Sequence, residues 1–500
     1  MNREPIAIIG IGCRYPGARG TKGFWQLITS GVDAVTEVPP ERWDTAAFYD
    51  PDPKAEGKMS TRWGGFLDNI DLFDPQFFKI APREADSLDP QQRLLLEVTW
   101  EALEDAGQVP EKLAGTKTGV FVGISAFDYY TLTCQDTRNI GPYFGTGNTH
   151  AVAANRLSYV FDFRGPSIAL DTACSSSLVA THLGCQSLRS GEATLAVAGG
   201  AHLILYPWLN VAYSKAGLMS PVGRCKSFDA SADGYVRSEG AGIVVLKLLS
   251  QALADGDRIY AIIRGSAVNQ DGRSNGLTAP NPKAQEAVLR AAYADAEIDP
   301  STVQYIEAHG SGTKLGDPLE MKSLASVIGR GRSSDELCWV GAVKSNIGHP
   351  EAAAGVAGLI KTSLSLHSRQ IPPSIHFENP NPYIPFDKIP LRVPTALMPW
   401  PDRPGPALAG VSAFGFGGTN AHLVLEEAPS AESRPAGDVL ERPLNLLTLR
   451  AKSERALRDM AGRYRDLLDE QPELSLADLC YSANTGRSNF PQRLAVSAQS

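Results

Sequence analysis

One arrangement occurs three times in this chain: a short apolar run ends in a loop that holds a reactive side chain, and a helical pattern follows. The three segments are GPSIALDTACSSSLVATHLGC, VQYIEAHGSGTKLGDPLE and WVGAVKSNIGHPEAAAGVAGLIKTSL. Apolar runs too short for helices that alternate with helical periodicity are typical of an α/β protein. In open α/β sheets, ligands bind at the carboxyl ends of the strands. The sequence therefore predicts an α/β fold in which the three junctions share one edge of a sheet.

Further apolar runs of the same kind extend this prediction. The predicted strands cover residues 6–9, 119–122, 167–170, 195–198, 260–263, 303–306 and 340–343. Long helices are predicted over 90–106 and 282–294, the second beginning at a proline, which suits the first helical turn. Gly10 and Gly12 follow the first run, but Tyr15 occupies the place of the third glycine in a dinucleotide-binding G-x-G-x-x-G motif. We therefore predict a tight turn after an edge of the sheet there, and no nucleotide site.

The clearest domain boundary in the sequence lies near Glu427. A chain of 500 residues predicts about two to four domains, and residues 428–443 have the Pro, Ser, Ala and charged composition of a linker. Beyond it we predict a strand over 444–449 and a helix capped by Ser453. Six apolar side chains share one face of that helix: Leu457, Met460, Ala461, Tyr464, Leu467 and Leu468. Such a face needs a partner, so we expect residues 444–500 to be the incomplete start of a second domain in a longer polypeptide.

Composition and charge argue against several functional classes. The formal net charge is −8 without a run of basic residues, which argues against a nucleic-acid partner. The seven cysteines are odd in number and form no CxxC pair, which favours a reducing, cytoplasmic location. No signal-peptide pattern is present at the start, and the apolar stretch 195–213 is interrupted by glycine, proline and histidine, so we predict no membrane association. The histidines lack ligand spacing, which predicts no metal site.

Cys174 lies in the first junction, among small residues and directly before a helical pattern. The unpaired N–H groups and the positive dipole end of a helix lower the pKa of a thiol placed there. Small neighbours would also leave its sulfur accessible. The residues alone fit two interpretations, a nucleophile or one more small buried cysteine.

His309 lies in the second junction, and Lys344 and His349 lie in the third. Either histidine alone is more often structural than catalytic, but a thiol and two imidazoles at equivalent edges of one sheet indicate a reaction centre. The hydroxyls of Ser311 and Thr313 can hydrogen-bond a polar chain that the nearby glycines allow to approach. A fourth loop, SAFGFGGTNAH, contains enough glycine to turn backbone N–H groups toward a reacting carbonyl.

At these motifs the chain resembles the β-ketoacyl synthase of modular type I polyketide synthases. The similarity rests on DTACSSSLVA, EAHGSGTKLGDPLE, KSNIGHPEAAAG and GFGGTNAH, with DPQQRLLLE and GVFVG, and extends from about residue 4 to 427. It implies a thiolase-type fold with two βαβ-rich halves, about 1–255 and 256–427, in a five-layered α/β/α/β/α arrangement, usually as a homodimer. Residues 444–500 resemble the start of the linker domain that precedes an acyltransferase in those synthases.

The resemblance also implies an activity, the decarboxylative Claisen condensation of a Cys-bound acyl chain with a malonyl-type extender in polyketide chain elongation. Both substrates would be carried on the phosphopantetheine of an acyl carrier protein, and the domain itself would bind no cofactor. The matching motifs make Cys174 the acylated nucleophile. They make His309 and His349 the pair that stabilises the enolate formed by decarboxylation.

Four more residues match supporting positions of the family. Lys344 would hold the histidine network, and Phe416 would gate the thiol and supply, with Cys174, the backbone N–H groups of an oxyanion hole. Ser311 and Thr313 would contact the pantetheine arm, Ser311 at a position where threonine is commoner. Pro350 departs from the family pattern, since leucine commonly follows the third-motif histidine, and proline would stiffen that loop.

Three alternative functions share parts of this pattern. The condensing domain of an animal-type fatty acid synthase has the same motifs, although the linker after Glu427 favours a polyketide synthase. A ketosynthase that only passes acyl chains between carriers would usually lack a catalytic histidine, and a decarboxylating loading domain would usually carry glutamine in place of Cys174. The expected partners are an acyl carrier protein, an adjacent acyltransferase domain and a second copy of the chain, with neither nucleic acid nor membrane.

Overall fold

Strands and helices alternate along the computed structural model, which describes residues 3–333, 335–429 and 443–499. The strands are β1 (Ile6–Tyr15), β2 (Ala18–Arg19), β3 (Thr36–Glu37), β4 (Trp63–Gly64), β5 (Thr118–Gly123), β6 (Ser167–Leu170), β7 (Leu195–His202), β8 (Gly240–Leu248), β9 (Ala261–Gln270), β10 (Tyr305–Glu307), β11 (Cys338–Gly341), β12 (Gln370–Ile371), β13 (Leu391–Arg392), β14 (Met398–Pro399), β15 (Leu408–Phe414), β16 (Thr419–Glu427), β17 (Asn445–Ala451) and β18 (Gln492–Ala498).

The two long helices predicted from the sequence are both present. The helices are α1 (Gly20–Thr29), α2 (Thr45–Phe48), α3 (Pro82–Asp86), α4 (Pro90–Asp105), α5 (Pro110–Leu113), α6 (Asp128–Cys134), α7 (Phe144–Asn148), α8 (His150–Phe161), α9 (Ser176–Ser190), α10 (Trp208–Lys215), α11 (Leu249–Asp255), α12 (Pro282–Ala296), α13 (Gly316–Val327), α14 (Lys344–Ile347), α15 (Ala354–Ser368), α16 (Glu454–Glu470) and α17 (Leu476–Thr485). At the start of α12 the Asn281 side chain accepts a hydrogen bond from the Lys283 N–H, as expected of an N-cap.

The large sheet consists of two halves that repeat one pairing scheme. In the first half, β1 pairs antiparallel with β8 and β8 antiparallel with β7, while β7 pairs parallel with β5 and β5 parallel with β6. In the second half, β9, β16, β15, β10 and β11 follow each other with the same two antiparallel and two parallel pairings. The halves join where residues 6–8 of β1 pair with residues 261–263 of β9. The predicted internal duplication is confirmed.

Helices cover both faces of each half sheet, which gives the predicted five layers. Helices α4 and α8 pack on the outer face of the first half, and α12 and α13 on the outer face of the second. Helices α9 and α15 lie between the two halves and contact strands of both. Their apolar side chains, among them Leu178, Val356 and Leu359, belong to the central core cluster together with residues of β1 and β15. The α/β, thiolase-type prediction is confirmed.

The first strand differs from its prediction. The structure has no edge and no turn at Gly10 and Gly12, because β1 continues through both glycines to Tyr15 in the middle of the sheet, and all ten residues are buried. A Cβ atom on Gly12 would overlap the carbonyl oxygen of Val98, and one on Gly10 would overlap that of Ala102. The glycines therefore allow α4 to pack directly on the strand, and they mark close backbone approach rather than a turn.

The C-terminal residues form a small unit of two strands and two helices. Ser453 caps α16 by accepting a hydrogen bond from the Ala456 N–H, and the six side chains of the predicted apolar face are half-buried while most of the others are exposed. Phe490 packs against Trp100 of α4, with ring centroids 6.0 Å apart. Most of the predicted linker, residues 430–442, lies outside the described residues, and the division at 427 and 444 stays a prediction.

We expect Gly12→Ala to destabilise the protein by about 3 kcal/mol or more, because the new methyl group would force α4 away from β1. The measurement is urea unfolding followed by circular dichroism. The matched control is Gly462→Ala in α16, where a Cβ atom meets no other atom within 4 Å. Equal stability of the two variants would contradict the close approach of α4 to the strand.

Candidate active site

The three junctions meet at one cavity of about 330 Å³. Six of the seven site residues predicted from the sequence line it, namely Cys174, His309, Ser311, Thr313, His349 and Phe416. The seventh, Lys344, lies directly behind the cavity and donates a hydrogen bond from Nζ to the His309 carbonyl oxygen at 2.5 Å. The structure therefore brings all seven residues together.

Cys174 lies in a tight turn between β6 and α9. Ala173 before it adopts φ +56°, and a single turn of 3₁₀-helix over Ala173–Ser175 leads into α9. The Asp171 carboxylate accepts from the Ala173 N–H at 2.8 Å, and the Ser176 hydroxyl donates to the Ala173 carbonyl at 2.6 Å. These bonds hold a left-handed residue that would otherwise be strained, and they fix the direction of the thiol.

The thiol pKa differs from the expectation based on helix position. Burial raises the pKa of Cys174 from 9.0 to about 12, and the charge of Glu351 raises it further. The charge of Lys344 and the backbone N–H groups of Phe416 and Cys174 lower the same pKa, without reversing its direction. The prediction of a lowered thiol pKa is therefore wrong, because the loss of water exceeds the effect of the helix start.

Both histidines are held as neutral hydrogen-bond donors. The His309 and His349 rings lie 5.5 Å apart between centroids, at 78° to each other. Nδ1 of His309 accepts from the Phe414 N–H at 3.3 Å, and Nδ1 of His349 accepts from the Glu351 N–H at 3.1 Å. Each ring must therefore carry its proton on Nε2. Burial, with the nearby charge of Lys344, holds both pKa values well below the usual histidine range.

A buried carboxylate holds the backbone of the second junction. Glu320 of α13 accepts from the N–H groups of His309 and Gly310 at 2.7 and 2.8 Å. Burial raises the pKa of this carboxyl from 4.5 to about 7. Glu320 is not among the site residues predicted from the sequence. Its position could have indicated a role, since Glu320 belongs to the motif GDPLE, which directly follows the loop of His309.

A second set of buried residues holds His349. The His349 N–H donates to the Val236 carbonyl at 2.8 Å, and the Ser238 N–H donates to the His349 carbonyl at 2.9 Å. Between these partners, Arg237 forms an ion pair with Glu351, with Nε 2.5 Å from Oε1. Arg237 and Glu351 were also not predicted. Arg237 lies more than a hundred positions away in the sequence, so no local pattern connects it with the third junction.

Pro350, which directly follows His349, is predicted from the sequence to stiffen this loop. It is the N-cap residue of a 3₁₀ turn over Glu351–Ala353, with φ −84°. This conformation suits proline, whose ring restricts φ to values near −65°.

Ser311, Thr313 and Phe416 line the cavity together with the histidines. The Ser311 and Thr313 hydroxyls are 3.1 Å apart, and Gly310 and Gly312 beside them have positive φ values of 44° and 76°. Phe416 is half-exposed, and its ring packs edge-on against Tyr213.

Within the described ranges, no cluster of His, Cys, Asp and Glu side chains is arranged to bind a metal ion. In the same part of the chain, no helix is both long and apolar enough to cross a membrane.

Three family models match consecutive parts of the chain. The N-terminal domain of β-ketoacyl synthase matches residues 3–252, its C-terminal domain matches 260–378, and the ketoacyl-synthetase C-terminal extension matches 380–495. Among curated proteins, one component of the phenolphthiocerol/phthiocerol polyketide synthase of Mycobacterium tuberculosis is 49% identical over 499 residues. Another component of the same synthase is 49% identical over 489 residues. The chain covers 27% and 31% of their lengths, so it spans less than a third of these relatives.

Solved structures of ketosynthases have the same fold. The ketosynthase from module 6 of the bacillaene synthase of Bacillus subtilis superimposes with a TM-score of 0.92 at 40% identity, over 99% of this chain and 83% of that one. The oxazolomycin ketosynthase domain of Streptomyces albus gives a TM-score of 0.93 at 41% identity, over 99% and 87%.

We expect Glu351→Gln to accelerate the alkylation of Cys174 by iodoacetamide at pH 8, because removing a negative charge lowers the thiol pKa and increases the thiolate fraction. Lys344→Met should slow it, because this variant removes a positive charge. In the unmodified protein the rate should keep rising with pH through 9, since the pKa of Cys174 is about 12. Peptide mass mapping assigns the modified cysteine. Changes of the same sign in both variants would contradict this charge balance.

Proposed function

The chain belongs to the β-ketoacyl synthase family and is similar to the ketosynthase domains of polyketide synthases. On this premise we propose that it catalyses decarboxylative Claisen condensation in polyketide chain elongation. One observation carries the proposal: a single cavity holds a thiol, two backbone N–H groups beside it, and two imidazoles that present Nε2–H donors. This is the set of groups that thioester exchange and enolate formation require.

In the first half-reaction, the Cys174 sulfur attacks the acyl thioester that an acyl carrier protein presents on its phosphopantetheine. The carbonyl oxygen becomes an oxyanion, for which the N–H groups of Cys174 and Phe416 are the proposed donors. When this oxyanion collapses to a carbonyl, the bond to the carrier sulfur breaks and the carrier thiolate leaves. One proton passes overall from the Cys174 thiol to the carrier thiol, so the step consumes no base even though the thiol pKa is raised.

In the second half-reaction, a malonyl-type thioester on a carrier loses carbon dioxide. The electron pair of the broken carbon–carbon bond moves into the thioester as an enolate, and the Nε2–H groups of His309 and His349 donate to its oxygen. Neutral donors suit this role because an imidazolium would transfer its proton and quench the carbanion. The enolate carbon then attacks the acyl carbonyl on Cys174, which forms the new carbon–carbon bond and releases the thiolate to take up a proton.

Among the alternatives open from the sequence, polyketide elongation has the best support. The relatives that cover nearly the whole chain at 49% identity are components of polyketide synthases. A transfer-only ketosynthase and a decarboxylating loading domain would usually lack one of the groups found here, and Cys174, His309 and His349 all line the cavity. We propose that Ser311 and Thr313 contact the pantetheine arm. We also propose that Phe416 gates access to the thiol and that Lys344 supports His309.

The partners of the domain follow from its family. Ketosynthase domains of modular synthases work with acyl carrier proteins and acyltransferases, and we propose that residues 444–500 begin the linker to such an acyltransferase. No cofactor is needed by the domain itself, since the substrates arrive on carrier phosphopantetheine. The seven cysteines are all unpaired, which supports a reducing, cytoplasmic setting.

We also propose that the chain forms a homodimer through the edge of the first half sheet. Strand β6 ends the order of the large sheet, and its Ile168 side chain is 41% exposed. Tyr159 of the adjacent α8 is also exposed, at 85%. An edge strand with an apolar neighbourhood is suited to pairing with a second copy about a two-fold axis.

We expect Cys174→Ala to abolish acylation by an acyl thioester, because the variant lacks the nucleophile. His349→Ala should keep acylation within about threefold but lose about 10² in condensation with a malonyl carrier, the usual cost of removing one oxyanion donor. Intact-protein mass spectrometry measures the first step and carbon dioxide release the second. Unchanged labelling of Cys174→Ala, or equal loss of both steps in His349→Ala, would contradict the assigned roles.

We expect Ile168→Glu to shift the protein toward monomer, because a charge at the paired edge would be desolvated next to its own copy. Sedimentation velocity measures the change. Tyr383→Glu is the matched control, since Tyr383 is 80% exposed and its neighbour Ile384 packs in the core of the second half. A dimer that Ile168→Glu leaves intact would place the interface elsewhere.

A further inference from the structure

An ion pair lies behind the cavity, and no step of the proposed reaction uses it. Lys361 Nζ is 2.9 Å from Glu307 Oε2, and the two side chains are 0% and 2% exposed. Tyr305 donates its hydroxyl to the same carboxylate at 2.5 Å. The ammonium is within ion-pair distance but is not aligned for a hydrogen bond. The pair therefore lies in a dry environment between β10 and α15.

The Glu307 carboxylate links the second and third junctions. Its Oε1 accepts from the Val343 N–H at 2.6 Å, directly before Lys344. The Lys344 Nζ reaches back to the carbonyl oxygen of His309, which follows Glu307 by two residues. The chain and these two hydrogen bonds form a closed ring. A shift of the carboxylate would therefore change the position of Lys344 relative to His309.

The Lys361 ammonium connects this ring to the first junction through α15. Near the start of that helix, the Val356 N–H donates to the Ser177 hydroxyl at 2.9 Å, three residues beyond Cys174. One turn before Lys361, Gly358 has no side chain, and a Cβ atom there would lie 3.0 Å from Glu307 Cγ. Helix α15 thus contacts the nucleophile turn at one end and approaches Glu307 closely further along.

Stability gives no reason for a charged pair at this place. Taking two charges out of water costs more than their attraction usually returns, and apolar side chains of similar volume often stabilise a core equally well. We propose that Glu307 and Lys361 are positioning residues, which hold His309 and Lys344 in the arrangement that stabilises the enolate. This inference rests on the proposed condensation. Neither residue lines the cavity, so both act through the groups that do.

The proposal predicts a selective defect. The Cys174 turn is held by its own hydrogen bonds, and its bond to α15 at Val356 lies more than one helical turn from Lys361. Glu307, by contrast, accepts directly from the Val343 N–H, next to Lys344. Loss of the pair should therefore impair decarboxylation and spare acyl transfer. A merely structural role would reduce both steps together.

The test is the double variant Glu307→Gln/Lys361→Met in the full chain, which removes both charges and leaves no unpaired ion. We expect acylation of Cys174 by an acyl N-acetylcysteamine thioester to stay within about threefold. The kcat of carbon dioxide release from malonyl carrier should fall at least about tenfold with little change in KM, since small displacements of catalytic groups are costly. Tyr305→Phe, which removes one hydrogen bond to the carboxylate, should have a smaller effect in the same direction and provides the test if the double variant does not fold.

The matched control is Lys247→Met/Asp257→Asn, which removes a pair with Nζ 2.6 Å from Oδ2 and side chains 10% and 9% exposed. Neither residue lines the cavity, and Asp255, which Lys247 also contacts, is 61% exposed to solvent. This control should leave both steps unchanged. A folded double variant with the carbon dioxide release of the unmodified protein, or one that loses acylation to the same degree, would overturn the inference. Failure of the proposed function itself is distinguishable, because the unmodified protein would then release no carbon dioxide from malonyl carrier.

Discussion

The enclosure of α9 and α15 between two half sheets is the constraint on which the rest of the structure depends. All residues from Ala354 to Leu366 of α15 are buried, so only the last two residues of the helix reach solvent. Its Thr362, Ser363 and Ser365 hydroxyls donate instead to carbonyls one turn earlier, at 2.8 to 2.9 Å. Gly355 allows contact with α9, since a Cβ atom there would lie 2.7 Å from that of Leu178. Because the loops of Cys174 and His349 precede these two helices, the packing of the helices determines the geometry of the cavity.

The same enclosure determines the protonation states in the cavity. A helix terminus contributes at most about 2 kcal/mol to the stability of a thiolate. Raising the pKa of Cys174 from 9.0 to about 12 corresponds to about 4 kcal/mol in the opposite direction. Burial therefore prevails at the thiol, and it also keeps His309 and His349 neutral. The site therefore provides neutral hydrogen-bond donors for an enolate and does not keep Cys174 permanently ionised. Acylation can still proceed, because one proton passes overall from the Cys174 thiol to the carrier thiol.

The sequence predicts those parts of the structure that depend on local pattern. Strand β6 has the predicted bounds, and α4 and α12 end within two residues of their predictions, because caps and periodicity are local. Gly10 was misassigned, because a glycine in a turn and a glycine under a packed helix look alike in a sequence. Arg237 and Glu320 were missed for a related reason. They act on the backbone of His349 and His309 through contacts that exist only after the chain has folded.

Because the large sheet is duplicated, equivalent positions of its two halves can be compared at the active site. Strands β1 and β9 each have a bulge, at Ile9 and Arg264, and these bulges align the registers of the two halves. Counted outward from them, Phe121 of β5 and Glu307 of β10 occupy equivalent positions. Phe121 belongs to the central apolar core, so the first half has an aromatic ring where the second half holds its buried carboxylate. The charge lies only in the half that supplies the imidazole donors, which is the asymmetry expected if it serves the histidines rather than the fold that both halves share.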